Sequence, residues 1–208
     1  MPFRFTSSLF LVRHGETEWN LVPRIQGRSD SPLTRRGEGQ ARAAGALLRR
    51  MLGPRPVALL SSPLGRARRT AEIIAAELGL SSGAIDIEPR LAEVSWGSWE
   101  GLSRAEIEAA VPDGWRRVQS EWDFAPDGAE SYPRAAERLA GWLAEMNGRG
   151  PAIAVTHGIA SCILRGLVQG LSGAESLALE RPQDALFRIE GGRVERLGFS
   201  EASSPVLS

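Results

Sequence analysis

Short unbroken apolar runs alternate along this chain with longer stretches of helical periodicity. Residues 9–12 (LFLV), 57–60 (VALL) and 151–156 (PAIAVT) show no polar alternation, as expected of strands covered on both faces. Residues 84–88 form a weaker strand candidate. A helix is predicted over 35–52, capped by Thr34, with Ala41, Ala44, Leu48 and Met51 on its apolar side and Gly53-Pro54 at its end. At Ser61-Ser62-Pro63 strand passes directly into helix, with Ser62 as cap and Pro63 in the first helical position. A second amphipathic helix, over 133–147, puts Leu139, Trp142, Leu143 and Met146 on one side, and another runs from about 159 to 169. Residues 185–189 and 194–197 flank Glu190-Gly191-Gly192-Arg193, a hairpin signal. Residues 20–34 read as a loop. Strands alternating with helices imply an α/β fold: a three-layer α/β/α sandwich with a mostly parallel sheet and an antiparallel edge strand from the hairpin.

The length of 208 residues suits one domain spanning 1–208. Residues 95–132 change character. Four of the six tryptophans lie there (Trp96, Trp99, Trp115, Trp122), with Phe124 and Tyr132, broken by Gly and Pro. This is an insertion with short helices, either a lid or a small satellite core. Residues 199–208 read as a mobile tail.

Composition narrows the function. The formal net charge is zero, which gives no support to a nucleic-acid partner. All 25 basic residues are arginine, so P-loop and Schiff-base lysine chemistry are excluded. Cys162 is the single cysteine and sits in an apolar run, an inert core thiol; no disulfide framework or cysteine-based zinc site is possible. No run reaches transmembrane length and the N-terminus lacks the apolar core of a signal peptide. The expectation is a soluble cytoplasmic protein with no membrane or nucleic-acid partner; the oligomeric state is open.

The candidate chemistry rests on two histidines, the only ones present. His14 and His157 each end an apolar run and each precede a glycine, Gly15 and Gly158, of the kind that lets the backbone turn. Such strand ends lie at the carboxyl edge of a sheet, where α/β proteins bind ligands. Arg13, Arg66 and Glu93 share that address. Helix N-termini after Ser62 and Gly158 would add N–H donors. Two guanidiniums and two imidazoles suit a small, highly charged anion, and phosphate fits best. His14 can attack phosphorus with one ring nitrogen if the other donates to a backbone carbonyl. Glu93 could protonate the departing alcohol and then deprotonate water, and His157 could donate to a phosphoryl oxygen. The residues alone do not choose between Glu93 and Glu100.

LVRHGETEWN, SSPLGRARRTA, LAEVSWGSWEG and VTHG, in that order, resemble the four signature segments of the histidine phosphatase superfamily, the phosphoglycerate-mutase-like or RHG proteins. The resemblance implies that fold, with His14 as the phosphorylated nucleophile, Arg13, Arg66 and His157 as the phosphate pocket, and Glu93 as acid/base. Asn20, Gln26 and Gly27 match a loop that in relatives touches the substrate's phosphate, and Gly158 is a further substrate-binding candidate. No metal and no organic cofactor is implied; the partner is a small phosphomonoester. DGAES departs from the family's Gly-Glu-Ser run by Ala129. Arg138 matches a recurrent family position, but a helix-face salt bridge is the preferred reading. The segment SWGSWEGLSRAEI is similar to the phosphatase branch, so a phosphomonoester phosphatase is the first reading. Mutase-type phosphoryl transfer is the alternative, and a silent phospho-ligand binding protein a third. A serine hydrolase is disfavoured because Ser61 and Ser62 look like helix caps.

Overall fold

The structure, a computed structural model, describes residues 6–200. In chain order it contains β1 (Leu9–Arg13), α1 (Glu18–Leu21), α2 (Arg35–Leu52), β2 (Ala58–Ser61), α3 (Gly65–Leu78) and β3 (Ile85–Ile87). There follow α4 (Arg104–Ala110), α5 (Gly114–Ser120), α6 (Tyr132–Met146), β4 (Ala152–Thr156), α7 (Gly158–Gln169), α8 (Gly173–Leu177), β5 (Ala185–Glu190) and β6 (Arg193–Gly198). The six strands form one sheet in the order β3-β2-β4-β1-β5-β6. β3, β2, β4 and β1 are parallel, while β5 and β6 run antiparallel on one side.

Apolar residues at the first four positions of β1 and of β4 serve two cores, because successive side chains point to opposite faces. Leu9, Leu11, Ala152 and Ala154 join Leu139, Trp142 and Leu143 of α6 and Ile163 and Leu164 of α7. Phe10, Val12, Ile153 and Val155 join Leu48 of α2 and Ile74 of α3 on the other face. That is the expected α/β/α sandwich with its antiparallel edge. The aromatic segment 95–132 is continuous with the first core: Trp96, Trp99, Ile107 and Val118 are buried in it. Backbone bonds from Gly101 to Ile25 (2.8 Å) and from Ile25 to Leu102 (2.9 Å) fasten it to the loop after α1.

Three local expectations change. Residues 18–21 form a short helix whose last two residues fall in the stretch 20–34 read as loop, held by a reciprocal Thr17–Asn20 capping box. α3 starts two residues later than its Pro63 signal, at Gly65 with Leu64 as N-cap, while the Ser62 oxygen accepts from the Leu64 N–H at 3.3 Å and also lies 2.7 Å from a histidine ring nitrogen. The supposed tail begins as ordered chain: the Phe199 N–H donates to the Asp184 carbonyl at 2.9 Å, and Phe199 packs on the second core. The rest of that tail, 201–208, and residues 1–5 lie outside the described residues. Among the described residues no helix is long and apolar enough to cross a membrane.

Candidate active site

β1 and β4 are neighbours in parallel register, with Arg13 opposite Thr156, so the residues that follow them emerge side by side. The rings of His14 and His157 lie 5.2 Å apart, centroid to centroid. Both are buried, at 4% and 0% exposure. Main-chain bonds fix the first: the His14 N–H donates to the Thr156 carbonyl at 3.0 Å, and its carbonyl accepts from Gln183 Nε2 at 3.2 Å. Gly15 serves close packing rather than the free turn expected of it. A Cβ there would sit 2.2 Å from the Gly37 carbonyl oxygen, and one at Gly37 would sit 2.0 Å from that of Glu16. The turn after β1 is thus pressed onto the first turn of α2.

Each ring is held in one tautomer. His14 Nδ1 lies 2.8 Å from the Gly15 carbonyl oxygen, which only accepts, so Nδ1 carries the proton and Nε2 keeps its lone pair. His157 Nε2 lies 2.7 Å from Ser62 Oγ. That hydroxyl accepts from the Leu64 N–H at 3.3 Å, and among the described residues its own proton has no acceptor other than Nε2. The proton of His157 then sits on Nδ1, a buried atom with no partner in the protein. One imidazole therefore presents a lone pair and the other an N–H.

The guanidiniums carry a related signature. Arg66, 2% exposed, donates through Nη1 to the Ser29 carbonyl (2.7 Å) and Asp30 Oδ1 (3.2 Å), and through Nη2 to the Gly27 carbonyl (2.7 Å). Arg13 Nη1 donates to the Arg181 carbonyl. The Nε atoms of both are buried without a partner. Unpaired buried donors from two arginines and one histidine are a fit for an anion. Arg68 and Arg69 are exposed, and Arg69 pairs with Glu38.

Glu93 occupies the place at the start of α7 where a substrate anion is expected. Its Oε2 accepts from the Ile159 N–H at 3.1 Å, and its Oε1 from those of Ala160 (3.0 Å) and Val94 (3.1 Å). The expected anion-binding donors behind Gly158 are thereby engaged by this carboxylate. The same correction applies to α3, where the Arg66 N–H donates to Asp30 Oδ1 at 3.2 Å. A Cβ on Gly158 would meet Arg13 Nε at 3.6 Å, an ordinary contact that places Gly158 beside the cradle without a steric need for glycine.

Asn20, Gln26 and Gly27 build the wall of the cradle. The Asn20 amide oxygen accepts from the Thr17 N–H (3.1 Å) and from Gln183 Nε2 (3.2 Å), the same nitrogen that holds the His14 carbonyl. Gln26 Nε2 donates to Thr17 Oγ1 at 2.8 Å, and its Oε1 is buried without a partner. Gly27 has φ +53°, and a Cβ there would lie 2.4 Å from Glu100 Oε1. Glu100 is the clamp of this loop, accepting from the Arg28 N–H (2.9 Å), the Ser29 N–H (2.8 Å) and the Trp96 N–H (3.1 Å). Burial pushes its carboxyl up, but these bonds outweigh it and hold the group below its usual range. Arg138 makes the salt bridge expected of it, bidentate to Glu130 at 2.6 and 2.8 Å.

Ser62, Gln183 and Arg181 were missed. Ser62 carried a cap signal that concealed its ring contact. The two late residues precede β5 with no motif around them, and only the antiparallel return of that strand beside β1 brings them here.

Burial, reinforced by the cations Arg13 and Arg66, holds His14 well below its ordinary value of 6.5; burial and Arg66 do the same to His157. The unfolded chain therefore binds more protons than the folded one below about pH 6.5, and stability falls as pH falls. Between about pH 6.5 and 5 each neutral histidine is expected to contribute a slope that grows from about 0.7 to about 1.4 kcal/mol per pH unit. Urea unfolding across that window checks it. His157→Gln should flatten the slope, and an unchanged slope would contradict the burial of a neutral ring.

A sheet whose parallel strands deliver two buried histidines, two arginines and a carboxylate to one edge defines an α/β enzyme-like anion site. The chain belongs to the histidine phosphatase superfamily (branch 1), whose family model matches residues 9–195. It is 38% identical over 190 residues to GpmB of Salmonella paratyphi C, named a probable phosphoglycerate mutase, covering 88% of this chain and 84% of that one. A mycobacterial glucosyl-3-phosphoglycerate phosphatase in complex with VO3 superposes with a TM-score of 0.80 at 29% identity, over 95% of this chain and 100% of that chain. YhfR of Bacillus stearothermophilus does so with a TM-score of 0.77 at 26% identity, over 96% and 98%.

Proposed function

We infer that this protein is a phosphomonoester hydrolase that works through a phosphohistidine at His14. The observation carrying this is the Nδ1–Gly15 bond, which leaves Nε2 as a nucleophile among unpaired arginine and histidine donors. Arg13, Arg66 and His157 Nδ1–H receive the phosphoryl oxygens. The Nε2 lone pair forms the N–P bond as the P–O bond to the alcohol breaks. The departing oxygen takes a proton from Glu93. Water then attacks phosphorus, returns a proton to Glu93, and the N–P electron pair goes back to Nε2. The fold's small phosphorylated ligands, rather than nucleic acid or membrane, are its partners, and the reading is of a cytoplasmic enzyme.

The phosphatase named among the structural relatives supports hydrolysis. The 38% identity to a protein named as a mutase favours a second reading, return of the phosphoryl group to another hydroxyl. Both use the same residues. Incubation with 3-phosphoglycerate and a bisphosphoglycerate primer separates them: phosphate release should outpace isomer interconversion, and the reverse would establish the mutase. No phosphate release from a broad phosphomonoester panel, with chelator present to remove adventitious metal, would favour a silent binding protein.

Ser62 is a positioning residue in this scheme, since its proton sets the tautomer of His157. Ser62→Ala is expected to lower kcat/KM about tenfold, the worth of one buried hydrogen bond. Ser62→Thr should restore most of it. A structural role alone would change the melting temperature and leave kcat/KM intact.

A further inference from the structure

Arg165, in the second half of α7, is a buried cation that the mechanism leaves unused. It is 2% exposed, on a helix whose nearby buried side chains Ile163, Leu164 and Val168 are apolar. Its partners are main chain, a thiol and a ring. Nε donates to the Ser161 carbonyl at 3.2 Å, and Nη2 donates to the Glu180 carbonyl at 2.5 Å and to Cys162 Sγ at 3.2 Å. The guanidinium carbon lies 3.9 Å from the ring centroid of Phe187 on β5. A guanidinium taken out of water and matched with carbonyls is less stabilising than a well-packed apolar side chain of similar volume. What it secures is the place of the Glu180 peptide.

That peptide belongs to a strap, residues 179–183, running from α8 to β5. The Arg181 carbonyl accepts from Arg13 Nη1. Gln183 Nε2 donates to the His14 carbonyl, but His14 has a second main-chain tie to Thr156 at 3.0 Å. Beneath the strap lies α7. The Cys162 thiol donates to the Leu179 carbonyl at 3.4 Å, beside the Arg165 bond. α8, from which the strap leaves, is pressed onto the same helix: a Cβ on Gly166 would lie 1.9 Å from Ser176 Oγ. The Glu180 carboxylate also reaches Arg196 at 3.2 Å, but that pair is about half exposed and holds weakly in water.

We propose that Arg165 is a positioning residue for phosphoryl transfer: by fixing the Glu180 peptide it sets the Arg181 carbonyl, and so the angle at which Arg13 presents its unpaired Nε to the phosphoryl group. The assignment rests on the phosphatase reading above and adds a support to that site. α7 then serves the site twice. Its first N–H groups, from Ile159 and Ala160, hold Glu93, and Arg165 farther along holds the strap. The competing account is packing alone, with the aliphatic stem of Arg165 filling space between α7 and β5.

Arg165→Met keeps the bulk over Phe187 and removes the donors. Its kcat/KM on p-nitrophenyl phosphate should fall about tenfold, the order expected when a phosphate-binding group is displaced by part of an ångström, and vanadate inhibition should weaken with it. Arg165→Lys keeps the charge and one point donor in place of the fork, and should recover to about a third of the wild-type value. A cycle with Arg13→Met decides the route: once the Arg13 guanidinium is gone, neither substitution at position 165 should lower kcat/KM or vanadate affinity further. Should Arg165→Met not fold, Arg165→Lys carries the cycle alone. Losses at position 165 that multiply with that of Arg13→Met, or wild-type kcat/KM in the folded variants with only a lowered melting temperature, would overturn the assignment and leave the phosphatase reading intact. Wild-type protein showing neither turnover nor phosphohistidine would remove that reading, and this assignment with it.

Discussion

Replacing His14 by alanine is expected to lower kcat/KM on any phosphomonoester by about 10⁴-fold or more, because no other side chain in the cradle offers a lone pair to phosphorus. The His157 Nδ1 carries a proton, Glu93 is tied to three N–H groups, and the arginines only donate. The variant should still fold. The lost ring leaves a small cavity, but the Thr156–His14 and Gln183–His14 bonds involve only its main chain. It should also still bind vanadate or inorganic phosphate through Arg13 and Arg66. Steady-state assay and a phosphate titration check the two halves. Residual activity of a few per cent would move the nucleophile elsewhere.

The second large effect belongs to Glu93→Gln. An amide neither protonates an alcohol nor takes a proton from water, so about 10²- to 10⁴-fold is at stake. The loss should depend on the leaving group: greatest for alkyl phosphates, and smaller in the first step for aryl phosphates, whose departing oxygen needs little help. With an aryl ester, a burst of phenol followed by slow phosphate release should show the second step failing. The substitution also exchanges one acceptor oxygen for an NH₂ facing either Ile159 or Val94 and Ala160. A destabilisation of about 1–3 kcal/mol is therefore expected alongside. Equal losses on aryl and alkyl esters, with no burst, would assign Glu93 to helix capping alone.

The architecture was legible where burial is two-sided. Runs such as residues 9–12 and 151–156 cannot be alternating surface strands, and helix periods between them force the layered arrangement. Thr34 and Gly53 bounded α2 as expected because capping is local chemistry. The same logic failed at Ser62, where α3 begins two residues beyond the serine-proline signal and the hydroxyl also bonds a residue 95 positions away. Helix N-termini misled in a similar way. Their donors do attract negative charge, but Glu93 and Asp30 already supply it. The five polar residues at strand ends could be placed at one sheet edge from the sequence. The positions of Gln183 and Arg181 could not, since they depend on how β5 returns antiparallel beside β1. Glu93 and Glu100 looked alike along the chain; two bonds to the start of α7 and one to Val94 set one in the site, while five bonds from the 28–29 and 95–96 segments made the other a loop clamp.

All of this depends on one nitrogen, His14 Nε2, bonding transiently to phosphorus. Wild-type protein mixed with radiolabelled substrate and quenched in alkali within milliseconds should carry an acid-labile, base-stable label that maps to the peptide containing His14. Label on an acid-stable ester of Ser61 or Ser62, label on His157, or full turnover with no labelled protein at any time point would contradict the account.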